Sequence, residues 1–210
     1  MAHSSHAVLF DLDGTLVDSV YQHATTWHEV LLGHDLHVPL WKLHRAIGLP
    51  GDLMLAWLLG EHRKDAKALI AEQEARFVRL ANTLRPTEGA LALLSDLEAR
   101  EVPFLAVTSA SETTRDALFQ ALQRELPIGK PPSSKSPKPH ADPILVAVKE
   151  LGLELSQVSF IGDAIWDGEA ARRAGVHFIG LRCGGTSDAL LEQAGALWVE
   201  DAPRDLIGRL

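Results

Sequence analysis

Five short apolar runs, at residues 7–10, 103–108, 158–162, 177–181 and 196–200, constrain the fold most strongly. None alternates apolar with polar residues. A strand with one face in water alternates, whereas a strand buried on both faces reads as an unbroken apolar run, as in a parallel sheet. Helical periodicity lies around and between the later runs. Segment 88–100 places Leu91, Leu94 and Leu97 on one stripe, widened by Ala90 and Leu93. Segments 143–151 and 165–174 also read as helices, the second closed by Gly175 as a C-cap. Strands alternating with helices predict an α/β fold.

The alternation breaks once. After the first run come roughly seventy residues without a strand pattern, too long for an ordinary crossover. Segments 17–32 and 65–80 read as helices, with Gly33 closing the first. The stretch 16–85 is therefore expected to be a small helical insert, with residues 1–15 and 86–210 forming the main domain. The insert carries eight acidic and eight basic residues, so the main domain carries the entire net charge of −8. Segment 126–143 holds six of the eleven prolines, together with Ser133, Ser134 and Ser136, and reads as a surface loop.

Composition excludes several classes. Acidic residues outnumber basic ones 28 to 20. A general nucleic-acid coat or a polybasic membrane binder needs a cationic surface instead. The single cysteine, Cys183, excludes an internal disulfide framework and a cysteine-built metal centre, and fits a reducing compartment. No run approaches transmembrane length. The first ten residues have neither a charged region nor a long apolar run, so no signal peptide is expected and a cytoplasmic location is. His3 and His6 fit either an ordinary terminus or a tag remnant.

Chemistry is concentrated where the apolar runs end, which is where sites form in parallel α/β sheets. Asp11-Leu12-Asp13-Gly14-Thr15 follows the first run directly. In an extended segment both carboxylates project the same way, which suits a divalent cation; Asp and Gly are also ordinary turn formers. Asp163 and Asp167 follow the third run at i, i+4 spacing. Acids at a helix start also gain from the helix dipole. Two acidic pairs at two strand ends favour a hard-metal site. Thr108 and Ser109 end the second run, ahead of a helix start that suits phosphate oxygens, and Ser111 reads as that helix's N-cap.

In this order the motifs resemble the haloacid dehalogenase superfamily, in its phosphoglycolate-phosphatase and β-phosphoglucomutase-like subgroup with a helical cap. Phe10-Asp11-Leu12-Asp13-Gly14-Thr15-Leu16-Val17-Asp18-Ser19 is similar to the first motif. Thr108 falls at the second, Lys138-Pro139-His140-Ala141-Asp142-Pro143 at the third, and Gly162-Asp163 through Asp167 at the fourth. The approach to the third motif departs from the usual short apolar strand, and Lys130 remains an alternative to Lys138.

The resemblance implies a Rossmann-like three-layer core, a parallel sheet and an inserted α-helical cap. It implies an Mg²⁺-dependent phosphatase acting on a small phosphorylated metabolite, phosphoglycolate-like or a sugar phosphate. Asp11 would be the nucleophile and Asp13 the general acid and base. Asp11, the Asp13 backbone carbonyl and Asp163 would hold Mg²⁺. Thr108, Ser109 and Lys138 would bind the phosphoryl group, with Asp167 in support. The acid at Asp13 favours phosphoryl transfer over carbon–halogen cleavage, because a halide leaves without a proton.

Arg45 resembles a cap arginine that grips a carboxylate or second phosphate, though a solvated surface arginine fits equally. Trp41 and Trp57 read as cap core, and most of the six insert histidines as surface or helix-face residues. The alternatives are a sugar phosphomutase using the same nucleophile and, from a different class, a non-catalytic binding module. A phosphonatase would need a cap lysine in a recognisable context, which Lys42, Lys64 and Lys67 do not offer.

Overall fold

A computed structural model describes residues 7–131 and 137–210. Its chain runs β1 (Ala7–Phe10), β2 (Val17–Asp18), α1 (Val20–Gly33), α2 (Leu40–Ala46), α3 (Gly51–Leu59) and α4 (Ala66–Val78). It continues through β3 (Arg85–Pro86), α5 (Ala90–Ala99), β4 (Phe104–Ala106), α6 (Glu112–Leu122), α7 (Asp142–Leu151) and β5 (Val158–Gly162). It ends with α8 (Ile165–Ala174), β6 (His177–Leu181), α9 (Asp188–Ala194) and β7 (Ala196–Glu200). The five apolar runs form one parallel sheet in the order β4-β1-β5-β6-β7.

Alternate side chains of each strand serve opposite layers, as the pleat requires. Val8, Phe10, Ile161 and Ile179 pack with Leu93, Leu94 and Leu97 of α5 and Leu118 and Leu122 of α6. Ala7, Leu9, Phe160 and Phe178 pack with Ile144 and Val148 of α7, Ala170 and Ala174 of α8 and Leu191 of α9. The result is the expected Rossmann-like three-layer α/β core. The strands β1, β5 and β6 are buried, but no residue of β7 is fully buried. An edge strand has a neighbour on one side only, and an apolar run does not reveal that. The α5 stripe is Ala90, Leu93, Leu94 and Leu97, at i, i+3, i+4, i+7 spacing, which leaves Leu91 39% exposed.

The stretch 16–85 opens on the two-residue strand β2, so α1 begins at Val20 and not at 17, and it builds a second cluster from α1 to α4, centred on Trp27, Leu31, Leu43, Leu55 and Leu69. Two of these helices, α2 and α3, are additional to the pair expected from periodicity; each follows a proline, Pro39 or Pro50. Gly33 belongs to α1, and the chain reverses through Asp35 at φ 57°. Trp41 and Trp57 are not core: they are 62% and 44% exposed, because α2 turns Leu43 and Ala46 inward instead. The stretch leaves and rejoins the sheet domain at one place, where β2 and β3 pair antiparallel, Val17 opposite Pro86 and Asp18 opposite Arg85.

Among the described residues no helix is long and apolar enough to cross a membrane. His3, His6, Ser133, Ser134, Lys135 and Ser136 lie outside the described residues.

Candidate active site

The sheet order sets the position of the site. From β1 the chain reaches β4 on one side and later β5 on the other, so the carboxyl end of β1 is a topological switch point. Asp11 begins immediately beyond it. Asp163 follows β5, and Thr108 lies two residues beyond β4. Lys138 arrives from the loop before α7 and is 1% exposed.

Four buried ionisable side chains meet there. The Lys138 ammonium lies 2.7 Å from Asp11 Oδ1 and 2.9 Å from Asp167 Oδ1. The second oxygen of Asp167 accepts from the backbone N–H of Ala164 at 3.1 Å. Asp167 thus caps the start of α8 and orients the lysine at once. Carboxylate oxygens of Asp11, Asp163 and Asp167 lie within 4.8 Å of one another. Lys130 is elsewhere, with its side chain 74% exposed and paired to Glu150. Lys138 is the lysine brought to Asp11.

The charge states follow from this crowding. Burial pushes the Asp11 carboxyl up to about 7, with Lys138 opposing and Asp167 and Asp13 adding to the rise. Burial, Asp167 and Asp11 hold Asp163 well above the usual carboxylate range. Burial disfavours the Lys138 ammonium, but Asp11 and Asp167 outweigh it and hold its pKa above the ordinary lysine value. One ammonium does not balance three buried carboxylates. That imbalance, with an all-oxygen donor set, suits a hard divalent cation.

Glycines make the approach to Asp163 possible. A Cβ on Gly14, whose φ is +75°, would lie 2.3 Å from Asp163 Oδ2, and a Cβ on Gly184 would lie 1.8 Å from it. Any side chain at either position would occupy the space beside that oxygen. Its other oxygen accepts from the Thr15 hydroxyl at 2.8 Å. The Thr87 hydroxyl donates to Thr15 O at 2.6 Å, and the Cys183 thiol to Gly14 O at 3.0 Å, fixing the loop between the two strand ends.

A family model described as haloacid dehalogenase-like hydrolase matches residues 6–175. The chain belongs to this family. It is 30% identical over 208 residues to phosphoglycolate phosphatase of Xanthomonas campestris, covering 91% of this chain and 94% of that one. It is 29% identical over 185 residues to N-acetylmuramic acid 6-phosphate phosphatase of Pseudomonas putida, covering 85% and 83%. A hydrolase from Pseudomonas syringae superposes with a TM-score of 0.89 at 35% identity, covering 95% of each chain. The chain is a phosphomonoester hydrolase of the haloacid dehalogenase-like type.

In this hydrolase Asp11 and Asp13 form the floor of a cavity whose roof comes from α1, α3, α4 and the α2–α3 turn, with an empty volume of about 590 Å³ open to solvent. Asp11, Asp13, Thr108 and Ser109 all line it. The Thr108 hydroxyl accepts from the backbone N–H of Ala110 at 3.0 Å, and the buried Ser109 hydroxyl has no hydrogen-bond partner among the described residues. Ser111 is the N-cap of α6, its hydroxyl accepting from the Thr114 N–H.

Arg45 does not line this cavity. It is exposed and borders a neighbouring one with Trp41, Ile165 and Asp163. Its carbonyl accepts from the Trp166 indole at 3.0 Å, and His44 bonds Gly184 O at 2.9 Å, so α2 is fastened to the two loops around Asp163.

Sequence reasoning missed His23. It is buried, its Nε2 lies 3.0 Å from Asp13 Oδ1, and the ring stacks on Phe77 at 3.7 Å. Gln73 Nε2 donates to His23 Nδ1 at 3.1 Å and to the Thr26 hydroxyl at 2.9 Å. Thr26 donates its own proton to Gln22 O, so the amide must donate to it. That orientation assigns the ring proton to Nε2, facing Asp13. Ser19 donates to the same Asp13 oxygen at 2.6 Å. Burial would raise Asp13, but His23 and Ser19 reverse the effect and hold it below the ordinary carboxylate value. The only sequence signal for His23 was a histidine one helical turn beyond Ser19, which alone does not distinguish a ligand from a surface residue.

Proposed function

We propose that this hydrolase is an Mg²⁺-dependent phosphatase of small phosphorylated metabolites that works through an aspartyl-phosphate on Asp11. The observation that carries the reading is the buried Lys138 ammonium against Asp11, inside a carboxylate cluster whose ionised form suits a further cation. The names of the relatives, phosphoglycolate phosphatase and N-acetylmuramic acid 6-phosphate phosphatase, support the substrate class. In this reading residues 1–15 and 86–210 are the catalytic core, and residues 16–85 are the cap that covers it.

Asp11 attacks phosphorus, and the bond from phosphorus to the substrate's alcohol oxygen breaks. Asp13 acts in its protonated form, which His23 and Ser19 disfavour before the ester binds, and gives that proton to the departing alkoxide. Asp13 then takes a proton from water, the resulting hydroxide attacks the phosphoaspartate, and inorganic phosphate leaves as Asp11 is restored. Lys138 neutralises the phosphoryl oxygens, and Thr108 and Ser109 donate to them. The unpartnered Ser109 hydroxyl is available for that purpose. Asp167 keeps Lys138 pointed at Asp11. His23 and Ser19 hold the Asp13 carboxylate in one orientation. Asp11, Asp163 and the Asp13 backbone carbonyl would hold Mg²⁺, which when bound supplies positive charge to the transferring phosphoryl group.

The test is phosphate release from a panel of metabolite monophosphates. Turnover is expected with Mg²⁺, its loss with chelator and its return on adding Mg²⁺ back. Absence of phosphate release from every ester in the presence of Mg²⁺ would overturn the reading.

A further inference from the structure

The roof of the cavity has a charge character that nothing in the floor dictates. It is built from Trp27, Ile47, Leu49, Met54 and Ile70, with Glu74 as its one charged side chain among the described residues. Among the described residues no lysine or arginine lines the cavity. Lys138 lies beneath it, committed to Asp11 and Asp167. Arg45 borders the other cavity. His23 is committed to Asp13 and Gln73. Glu74 is half-buried and has no ion-pair or hydrogen-bond partner among the described residues.

A phosphate placed over Asp11 leaves the rest of the ester under this roof. Were that part a carboxylate against the roof, it would meet Glu74, the Gln73 amide already bonded to His23 and Thr26, and apolar surface, with no cation to pair with among the described residues, and an unpaired charge that loses water is disfavoured. A leaving group carrying hydroxyl or amine donors would instead give the unpartnered Glu74 carboxylate its hydrogen bonds.

We infer that the substrate is a phosphomonoester whose alcohol portion bears hydrogen-bond donors and no carboxylate, and that Glu74 determines this specificity. The inference rests on the phosphatase reading above and departs from the acid-bearing substrates for which the two relatives are named.

Matched esters test it. 2-Phosphoglycolate, 2-hydroxyethyl phosphate and O-phosphoethanolamine share a two-carbon frame and end in an anion, a neutral group and a cation. N-Acetylmuramic acid 6-phosphate and N-acetylglucosamine 6-phosphate differ by the carboxylate-bearing ether. Each ester is ranked by kcat/KM with Mg²⁺, or by its inhibition constant against p-nitrophenyl phosphate where turnover is too slow to follow. In each set the carboxylate-free ester is expected to lead by at least about tenfold, equivalent to about 1.4 kcal/mol. Glu74→Gln should narrow that ratio severalfold and Glu74→Lys should reverse it. Ratios are taken on one protein preparation, so partial loss of folded protein cancels. A carboxylate ester equal to or better than its partner, or ratios unmoved by both Glu74 substitutions, would overturn the inference. Failure to turn over p-nitrophenyl phosphate or any other ester would instead overturn the phosphatase reading, and this inference with it.

Discussion

The floor and the roof of the cavity are built on opposite principles. The floor rests on a buried cluster of Asp11, Asp163, Asp167 and Lys138, in which the acids stand at strand ends or a helix start and the lysine on a loop. The roof is mostly apolar, with one unpartnered acid. A charge network of that density is unforgiving, since removing its lysine leaves the carboxylates uncompensated. An apolar surface tolerates exchange of one hydrophobic residue for another of similar volume. The contrast teaches a division of labour. On the proposed reading, the chemistry is set where the sheet holds the geometry, and the leaving group is read where substitutions cost little. The two meet at Asp13, which belongs to the floor but is held by Ser19 and by His23 of α1.

The comparison is sharpened first on the floor. Asp11→Asn removes the nucleophile, and kcat should fall by at least about a thousandfold. Its melting temperature should be unchanged or higher, because the substitution relieves repulsion among the carboxylates. Steady-state kinetics and a thermal melt check both halves, and retention of full activity would break the nucleophile assignment. Lys138→Met comes next. It strands buried carboxylates, so urea denaturation without added metal should show a loss of about 3–5 kcal/mol, accompanied by loss of turnover.

The meeting point predicts something smaller and different in kind. His23→Asn should lower kcat by about tenfold or more while KM stays within about twofold, because the residue acts through Asp13 and not on the bound ester. A change confined to KM would place His23 in the roof instead. The smallest effect is expected outside both regions. Lys130→Ala should alter stability by no more than about 0.5 kcal/mol and leave kcat/KM unchanged, since its ion pair with Glu150 is exposed.

The floor was legible in the sequence because each of its residues adjoins an apolar run or a short motif. Asp11 follows 7–10, Asp163 follows 158–162, and Asp167 is one helical turn further on. Lys138 was legible as part of its hexapeptide, but its preference over Lys130 needed the fold, because the approach through the prolines gives no strand to register against. The roof was largely illegible. Gln73 and His23 are fifty positions apart and sit on α4 and α1, so their bond exists only once the helices pack. Trp41 and Trp57 were expected inside on hydrophobicity alone, yet a helix can bury only one face, and those of α2 and α3 are filled by Leu43, Ala46, Met54 and Leu55.

By itself the sequence determined the α/β class and the acids at two strand ends. Those properties are local: strand burial, helix period and the residue after a strand are written in contiguous residues. Only the tertiary structure decided which lysine faces Asp11, which histidine steadies Asp13, and that Arg45 and Glu74 stand on opposite sides of the substrate question. These properties depend on which helix faces turn toward one another. Helix packing is settled by the summed burial of many side chains, and no single stretch of chain records it.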